Sequence, residues 1–437
     1  MIKTNKSESI AANINIGVVG GAISACAIAI LLHRAGANVK IFERSKGNLE
    51  DRGVGLTMKI STLNEAIKRD LIDADMPCVP VWQRTFGRKH TSKAAYSTPW
   101  NDYWKQPIAF HANHWGVLYR SLRKRVPDNI YQAGSEVTHL RENDDQTVSI
   151  RIKNKNWQTF DLVICADGYE SLGRKTLYPK SEISGAKYFL WRGMIDESTL
   201  PIPSMYESCI PFFGYPYGHG FVYYVPSPKY GAEVGKRRVN WAFHETIANK
   251  NIPGITPDDK GFVRKGLAPG EASLEQAAYC HKIAQKYFPT YFSDVVTATK
   301  QPFIQPVRDW NVPSYVRGRI CLMGDGATLS RPHIGGGAGK AIDDAIALAN
   351  SFEKHKDLDV ALSHWNDERC AAGTEVWEMG RTLGYHLVES TPDWDSMDSK
   401  SMDTWWKNIM KDRKWFWVDE VVDWHPTENA RSCSKLC

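Results

Sequence analysis

The most constraining feature of this 437-residue chain lies near its start. Residues 14–19 form a short apolar run that ends on Gly20-Gly21. Residues 23–35 are densely apolar and stop at Gly36, a helix C-terminus signal. Residues 39–42 give a second apolar run. Strand, helix and strand within about thirty residues is the size of one parallel β-α-β unit. Such a unit predicts an α/β fold.

Two more apolar runs predict buried parallel strands. Residues 162–166 are followed by Asp167-Gly168, and residues 320–323 by Gly324-Asp325. A Gly-rich stretch and a predicted helix over 338–352 follow the second. Residues 186–300 differ, being rich in Tyr, Phe, Pro and Trp with alternating runs such as 238–245. That pattern predicts an antiparallel sheet with one face for a ligand or core. Leu358, Leu362, Trp365, Arg369, Val376, Trp377, Leu383 and Leu387 recur at helical spacing, so a helix is expected there.

Three motifs carry chemistry. In the first, Gly20-Gly21-Ala22 turns from strand into helix and Glu43 lies 23 residues after Gly20. This matches a dinucleotide fingerprint: a tight turn, backbone close to a pyrophosphate, a helix N-terminus for phosphate, and a carboxylate for a ribose. Ala22 and Ala25 stand where the usual second and third glycines would be. A plain strand-turn-helix without ligand is the competing reading. The second motif is Asp167-Gly168, with Ser171 and Arg174 after it. The third is Gly324-Asp325-Gly326-Ala327, then Arg331-Pro332-His333 and Gly335-Gly336-Gly337. An Asp at a strand's carboxyl end can bind sugar hydroxyls. The three glycines let backbone N–H groups and a helix N-terminus approach a flat ring. Gly339-Lys340 is not a P-loop, because Ile334 and Ala341 replace its Gly and Ser/Thr. Gly168 to Gly173 lacks the nucleophile-elbow spacing.

With these motifs and the Trp191-Arg192-Gly193-Met-Ile-Asp196-Glu197 segment, residues 14 to 390 resemble a known family. It is that of FAD-dependent aromatic hydroxylases of the para-hydroxybenzoate hydroxylase type, with most likeness to members acting on dihydroxylated pyridines. The resemblance implies a Rossmann-like FAD-binding domain with a parallel sheet, an antiparallel β-sheet substrate domain and a helical C-terminal region. FAD-binding parts are expected over 13–185 (with substrate-domain elements near 80–106) and 301–352. The substrate domain is expected over 186–300 and the helical region over 353–437. Gly20, Gly21, Ala22 and Glu43 are then expected on the ADP part of FAD. Arg44, Arg52 and Arg120 are expected near its phosphates or flavin. Asp167 and Gly168 belong to a segment associated with FAD and NAD(P)H, and Asp325 with the ribityl and pyrophosphate region. Pro332, Gly335, Gly336 and Gly337 are expected to face the flavin. NADPH or NADH would be co-substrate, without a second Rossmann domain, and O2 would react through a flavin hydroperoxide.

Residues 215–223 alternate Tyr215, Tyr217, His219, Phe221 and Tyr223 with Pro216, Gly218, Gly220 and Val222. Extended, the five would share one face as an aromatic wall. His219 and Tyr223 are the candidate catalytic residues. A His with a pKa near ~6.5 can take a proton from a ring hydroxyl at neutral pH. Tyr215, Tyr217, Trp191 and Trp241 are the candidate substrate contacts. A core-facing stripe, or a turn exposing His219, is the alternative, and His333 reads equally as a turn residue.

Composition narrows the class. A net charge of +6 is too small to argue for nucleic acid and is compatible with an anionic cofactor. No Cys-x-x-Cys pair occurs among the nine Cys, so no metal site is expected and a reducing cytoplasm fits. The longest apolar run, residues 25–32, is far short of the ~20 residues that span a bilayer. The first 13 residues carry no secretory signal. Seven of the sixteen Trp fall in the last 63 residues. There Met402, Trp405, Trp406, Ile409 and Met410 form a helical stripe, expected to pack on the protein itself or, less favoured, on a second copy as a homodimer, and to lie away from the chemistry. The expected activity is hydroxylation of a hydroxylated aromatic or N-heteroaromatic molecule. Other classes stay open: a nicotinamide-only dehydrogenase, a flavin monooxygenase of non-aromatic substrates, or a non-enzymatic flavoprotein-like binding module.

Overall fold

The computed structural model describes residues 9–12, 14–47, 49–50, 54–89, 101–200, 206–247, 252–411, 413 and 415–419. The chain opens with β1 (Asn15–Val19), α1 (Ile23–Arg34) and β2 (Asn38–Glu43). Next come β3 (Gly55–Met58), α2 (Ile60–Lys68), β4 (Val79–Arg88), β5 (Asn101–His114) and α3 (Trp115–Arg123). Then follow β6 (Tyr131–Ala133), β7 (Val137–Glu142), β8 (Val148–Ile152), β9 (Trp157–Phe160), β10 (Leu162–Cys165) and α4 (Leu172–Leu177). The middle holds β11 (Ser184–Asp196), β12 (Cys209–Tyr215), β13 (Gly218–Val225), β14 (Arg238–Thr246), α5 (Leu274–Tyr287) and α6 (Thr290–Ala298). The last part holds β15 (Phe303–Asn311), β16 (Val316–Arg317), β17 (Ile320–Leu322), β18 (Thr328–Leu329), α7 (Gly337–Lys354), α8 (Leu358–Gly384), α9 (Ser399–Ile409) and α10 (Phe416–Asp419).

The predicted α/β architecture is present. One sheet runs β16-β17-β10-β1-β2-β6, with β1 parallel to both β2 and β10 and β10 parallel to β17. Its central strands are buried on both faces, which is why their sequences are continuous apolar runs rather than alternating ones. α1 and α7 pack together beside it, with Ala25, Ile28, Ile342 and Ala345 fully buried.

The second sheet is larger, in the order β18-β15-β11-β14-β13-β12-β4-β5-β3. It draws on strands far apart in the chain. β3 and β15 belong to it, although residues 55–58 and 303–311 read as parts of the parallel domain. Its strands alternate. Leu190, Arg192, Ile210, Phe212, His219, Phe221 and Tyr223 face the parallel sheet across a cavity. The intervening residues face α5 and α6: Trp191 Nε1 donates to Glu245 at 2.8 Å, and Trp241 Nε1 to Thr299 at 2.8 Å.

The C-terminal stripe packs on this same sheet. Met402 is 0% exposed, and Trp406 and Ile409 are buried. Trp406 meets Trp104 of β5, whose Nε1 donates to Asp403 at 2.7 Å. The stripe is therefore covered by the chain's own body. Trp424 and residues 420–437 lie outside the described residues.

Candidate active site

The β1–α1 turn explains its own sequence. Gly20 has φ +100°, and a Cβ on it would run into the Ala166 carbonyl. A Cβ on Gly21 would meet the Tyr131 hydroxyl and the Glu43 side chain. Ala22 precedes α1 with φ −91°, a conformation open to any residue, so glycine is not needed there. No side chain caps α1, which leaves its first N–H groups for a ligand. Glu43 ends β2 beside this turn and accepts from Ser45 N at 2.8 Å. Gly20, Gly21, Ala22, Glu43 and Arg44 all line one cavity of about 890 Å³.

The other two strand ends open on the same cavity. Asp167 follows β10, and its Oδ2 accepts from Leu172 N at 2.6 Å. Burial raises its pKa. Gly168 has φ +73° and open space where a Cβ would stand. Asp325 follows β17 in a short turn. Burial pushes its carboxyl up to about 6; Lys340 and Arg174 oppose the shift and Asp344 adds to it. A buried cluster holds this turn. Asp344 accepts from Gly324 N at 3.0 Å, from Lys340 at 2.6 Å and from Arg369 at 2.8 Å. Pro332 and Gly335 to Gly337 follow. Gly335 has φ +68° and its carbonyl accepts from the Thr57 hydroxyl. α7, also without a side-chain cap, starts at Gly337, where a Cβ would meet nothing within 4 Å.

These residues fit FAD. Two uncapped helix N-termini, three glycines with positive φ, and carboxylates at three strand ends converge on one cavity. Arg120 is an exception to the expected set. Its Nε pairs with Glu50 at 2.7 Å, which turns it onto a separate, smaller cavity. Arg52 lies outside the described residues. Arg174 is structural: it stacks 3.8 Å from the Trp310 ring centroid and donates to the Tyr169 carbonyl.

The facing wall carries the titratable groups. His219, Phe221 and Tyr223 project from β13 into the cavity. His219 is 1% exposed, and burial with the nearby Arg84 charge pushes its pKa down to about 3. Its Nε2 lies 3.2 Å from His333 Nδ1, and His333 Nε2 lies 2.7 Å from the Tyr188 hydroxyl. Among the described residues, His219 Nδ1 has no hydrogen-bond partner. His244 stacks between the two, at 4.5 Å from the His219 ring and 4.2 Å from the His333 ring. Burial holds His244 and His333 well below the usual histidine range. Their planes are within 26° of the His244 plane. One nitrogen of each ring lies within 4.8 Å of the others; hydrogen bonds link His219, His333 and Tyr188, whereas neither nitrogen of His244 has a partner among the described residues. Tyr223 is pushed up to about 12 by burial and stays a protonated donor at neutral pH.

Four expected substrate contacts lie elsewhere. Residues 215–223 are not one strand: Tyr215 pairs with Gly218 across a hairpin whose turn is Pro216-Tyr217. Tyr215 therefore faces Phe243 and Phe288 on the far side, and Tyr217 packs on Tyr287. Trp191 and Trp241 are excluded from the cavity by strand alternation, as above. Conversely, the Trp-rich segment does reach it. Trp415 and Trp417 line the cavity, stack 4.5 Å apart, and Trp417 stacks on Phe110 at 4.4 Å. Spacing also missed Arg84, Tyr188 and His244, which only the folded sheet brings to the site.

A family model described as FAD binding domain-like matches residues 185–309. Among curated proteins, 2,6-dihydroxypyridine 3-monooxygenase of Paenarthrobacter nicotinovorans is 26% identical over 362 residues, 82% of this chain and 87% of that one. The 6-hydroxynicotinate 3-monooxygenase of Bordetella bronchiseptica is 23% identical, covering 87% of this chain and 94% of that one. The solved structure of 2,6-dihydroxypyridine-3-hydroxylase from Arthrobacter nicotinovorans superposes with a TM-score of 0.75 at 23% identity, over 88% of this chain and 95% of that one. The resemblance to FAD-dependent aromatic hydroxylases read from the motifs is borne out.

Proposed function

We propose that this protein is an FAD-dependent monooxygenase that uses NADPH or NADH and O2 to hydroxylate a small hydroxylated aromatic or N-heteroaromatic ring. One observation carries this reading: the glycine turns that fit the cofactor and the His219–Tyr223 wall open on the same cavity. When bound and reduced by NAD(P)H, FAD supplies O2 activation and oxygen transfer to an electron-rich ring. The chain's own residues do the rest.

The N–H groups at the start of α1 hold the pyrophosphate, and Glu43 accepts from a ribose hydroxyl. Asp325 takes the ribityl region. Pro332 and Gly335 to Gly337 set backbone against the ring system, and the α7 N-terminus favours negative charge there. Phe212, Phe221, Trp415 and Trp417 exclude water. Burial holds His219 neutral and far below the ~6.5 expected from sequence, so its Nδ1 accepts a hydrogen bond from the substrate hydroxyl and polarises that O–H, which makes the ring more electron-donating, rather than storing the proton as imidazolium. Nε2–H of His219 then donates to His333 Nδ1, and His333 Nε2–H donates to Tyr188. Arg331 donates to the Tyr188 hydroxyl and to the partly exposed Glu389, which fixes the far end of this chain of hydrogen bonds. Tyr223 donates a hydrogen bond to the bound ring.

We assign the parallel sheet with α1 and α7 to cofactor binding and the cavity face of the large sheet to the substrate. All seven described cysteines are free thiols, which supports a reducing compartment such as the cytoplasm. The purified protein is expected to be yellow and to release FAD. Phenols or pyridinols should stimulate its NAD(P)H oxidation, and the product should carry one oxygen from labelled O2. A colourless protein that refuses added FAD would refute the reading.

A further inference from the structure

His244 is a buried titratable group that the mechanism does not use, and its ring is 0% exposed. Among the described residues, neither of its nitrogens makes a hydrogen bond of ordinary geometry, although the His219 carbonyl is near enough to favour an N–H on it. A buried imidazole left in that condition is costly, and an ion is one group that satisfies it. His219 comes from β13, His244 from β14 and His333 from the turn before α7, so only folding assembles the three. One nitrogen of each lies within 4.8 Å of the others. His219 Nε2 and His333 Nδ1 are 3.2 Å apart, close to the separation of about 3.3 Å between two imidazole nitrogens on a tetrahedral zinc ion. The same spacing serves the hydrogen bond that joins them without an ion. The His244 plane is 18° from that of His219 and 26° from that of His333, so its ring must turn about Cβ–Cγ to aim a nitrogen at the shared point. That turn breaks no side-chain hydrogen bond of ordinary geometry.

The surroundings suit a ligand set. His333 Nε2 lies 2.7 Å from the Tyr188 hydroxyl, an outer contact of the kind that orients a ligating imidazole. Burial keeps all three rings neutral, the form that binds a metal. Three imidazoles suit zinc or copper, whereas magnesium and calcium demand oxygen. The charges of Arg84, Arg192 and Arg331 oppose a further cation, and Asp309 and Glu389 offset only that of Arg331. Binding is therefore reversible and weaker than in a structural zinc site. We propose that His219, His244 and His333 form a three-histidine site for a zinc-class divalent cation, and that the ion switches hydroxylation off. An ion on His219 Nε2 shifts the proton of that nitrogen to Nδ1, with none gained or lost. Nδ1 then donates and no longer accepts from a substrate hydroxyl. The site stands on the three rings alone; the switch rests on the monooxygenase reading above.

The test uses the FAD-loaded full chain, first freed of metal by a chelator. Equilibrium dialysis against Zn2+ should give one ion per chain with a dissociation constant on the order of 1–100 μM. His244→Phe keeps a flat ring but should lose that ion. His355→Ala removes a competing pair, His355 and His364 at 5.0 Å ring to ring, and should keep it. With one equivalent of Cu2+ as probe, electron paramagnetic resonance should show three coupled nitrogens in the unaltered protein and two in His244→Phe. Zn2+ should lower the hydroxylation rate about tenfold or more, the low end of what a proton acceptor contributes, and a chelator should restore it. Against its own metal-free rate, His244→Phe should lose this sensitivity. No zinc binding, or binding unchanged in His244→Phe, overturns the site. Should that variant not fold, fewer than three nitrogens on Cu2+ in the unaltered protein overturns it. Zinc held by the trio with hydroxylation undiminished overturns the switch. A chain that binds zinc through the trio yet takes up no FAD supports the site and refutes the monooxygenase reading, and the switch with it.

Discussion

Gly20 and His219 show how single residues set the chemistry. Valine at position 20 would meet two penalties, a positive φ of +100° and contact with the Ala166 carbonyl. Each is of the order of ~1–3 kcal/mol, enough to displace the β1–α1 turn from a pyrophosphate. Gly20→Val is expected to purify with little or no flavin, as read from absorbance near the flavin band. His219 lies in the opposite wall, so its removal separates chemistry from binding. His219→Gln should keep its flavin yet lose about a hundredfold or more in hydroxylation rate, the usual weight of a general base. Turnover within a few-fold of the unaltered protein would dismiss the base role. Both residues were legible in the sequence, because a glycine turn between apolar runs and a histidine between glycines are local signals. Tyr215, Tyr217, Trp191 and Trp241 were misplaced for a physical reason. The Pro216-Tyr217 hairpin turn reverses the chain, and period two then sends Tyr215, Trp191 and Trp241 to the helical face. The Pro216 to Gly218 turn chemistry was the available signal.

At the scale of elements, the C-terminal segment matters beyond its helical periodicity. Trp406, Trp415 and Trp417 are 6%, 3% and 3% exposed, and the last two close the cavity next to Gly335. The stripe on α9 was readable from its spacing. The contact of Trp415 and Trp417 with the cavity was not, because it depends on where the chain returns after α9. Trp417→Ala opens a space beside Ile334 and Gly335 and costs about 3–5 kcal/mol if the space stays unfilled. Water then reaches a region that must stay dry. The variant is expected to melt at lower temperature and to divert a larger share of NAD(P)H oxidation into hydrogen peroxide. Calorimetry and a peroxide assay beside product quantification check both parts. A variant as stable and as tightly coupled as the parent would mean the segment only decorates the site.

The whole molecule joins two sheets with different sequence signatures, and this governs both what could be read and how the protein responds to acid. The parallel sheet was legible because its strands are buried on both faces and short. The nine-stranded sheet was legible over its middle and near residues 80–106, whereas β3 and β15 join it through pairings remote in sequence. That assembly buries four histidines in neutral form at the seam. His219 is pushed down to about 3 and His114 to about 4, and His244 and His333 lie well below the usual range. Unfolded, each takes a proton near ~6.5. Between those limits the unfolded chain binds more protons than the folded one, so stability is complete above about pH 6.5 and falls as pH drops. Asp325, raised to about 6, and Asp167, also raised, act in the opposite direction, because the folded chain holds their protons more tightly. Four protons outweigh two. Each proton of net difference is worth about 1.4 kcal/mol per pH unit, and the histidines set the sign, a loss of stability as pH falls below about 6.5. Urea midpoints are therefore expected to be flat from pH 8 to 7 and to fall steeply from 6 to 5. His244→Gln removes one of the four protons without touching the cavity wall, and it should make the fall shallower. A midpoint that stays constant down to pH 5 would show that these histidines are not held neutral in the folded protein, and the proton path from His219 to Tyr188 would lose its premise.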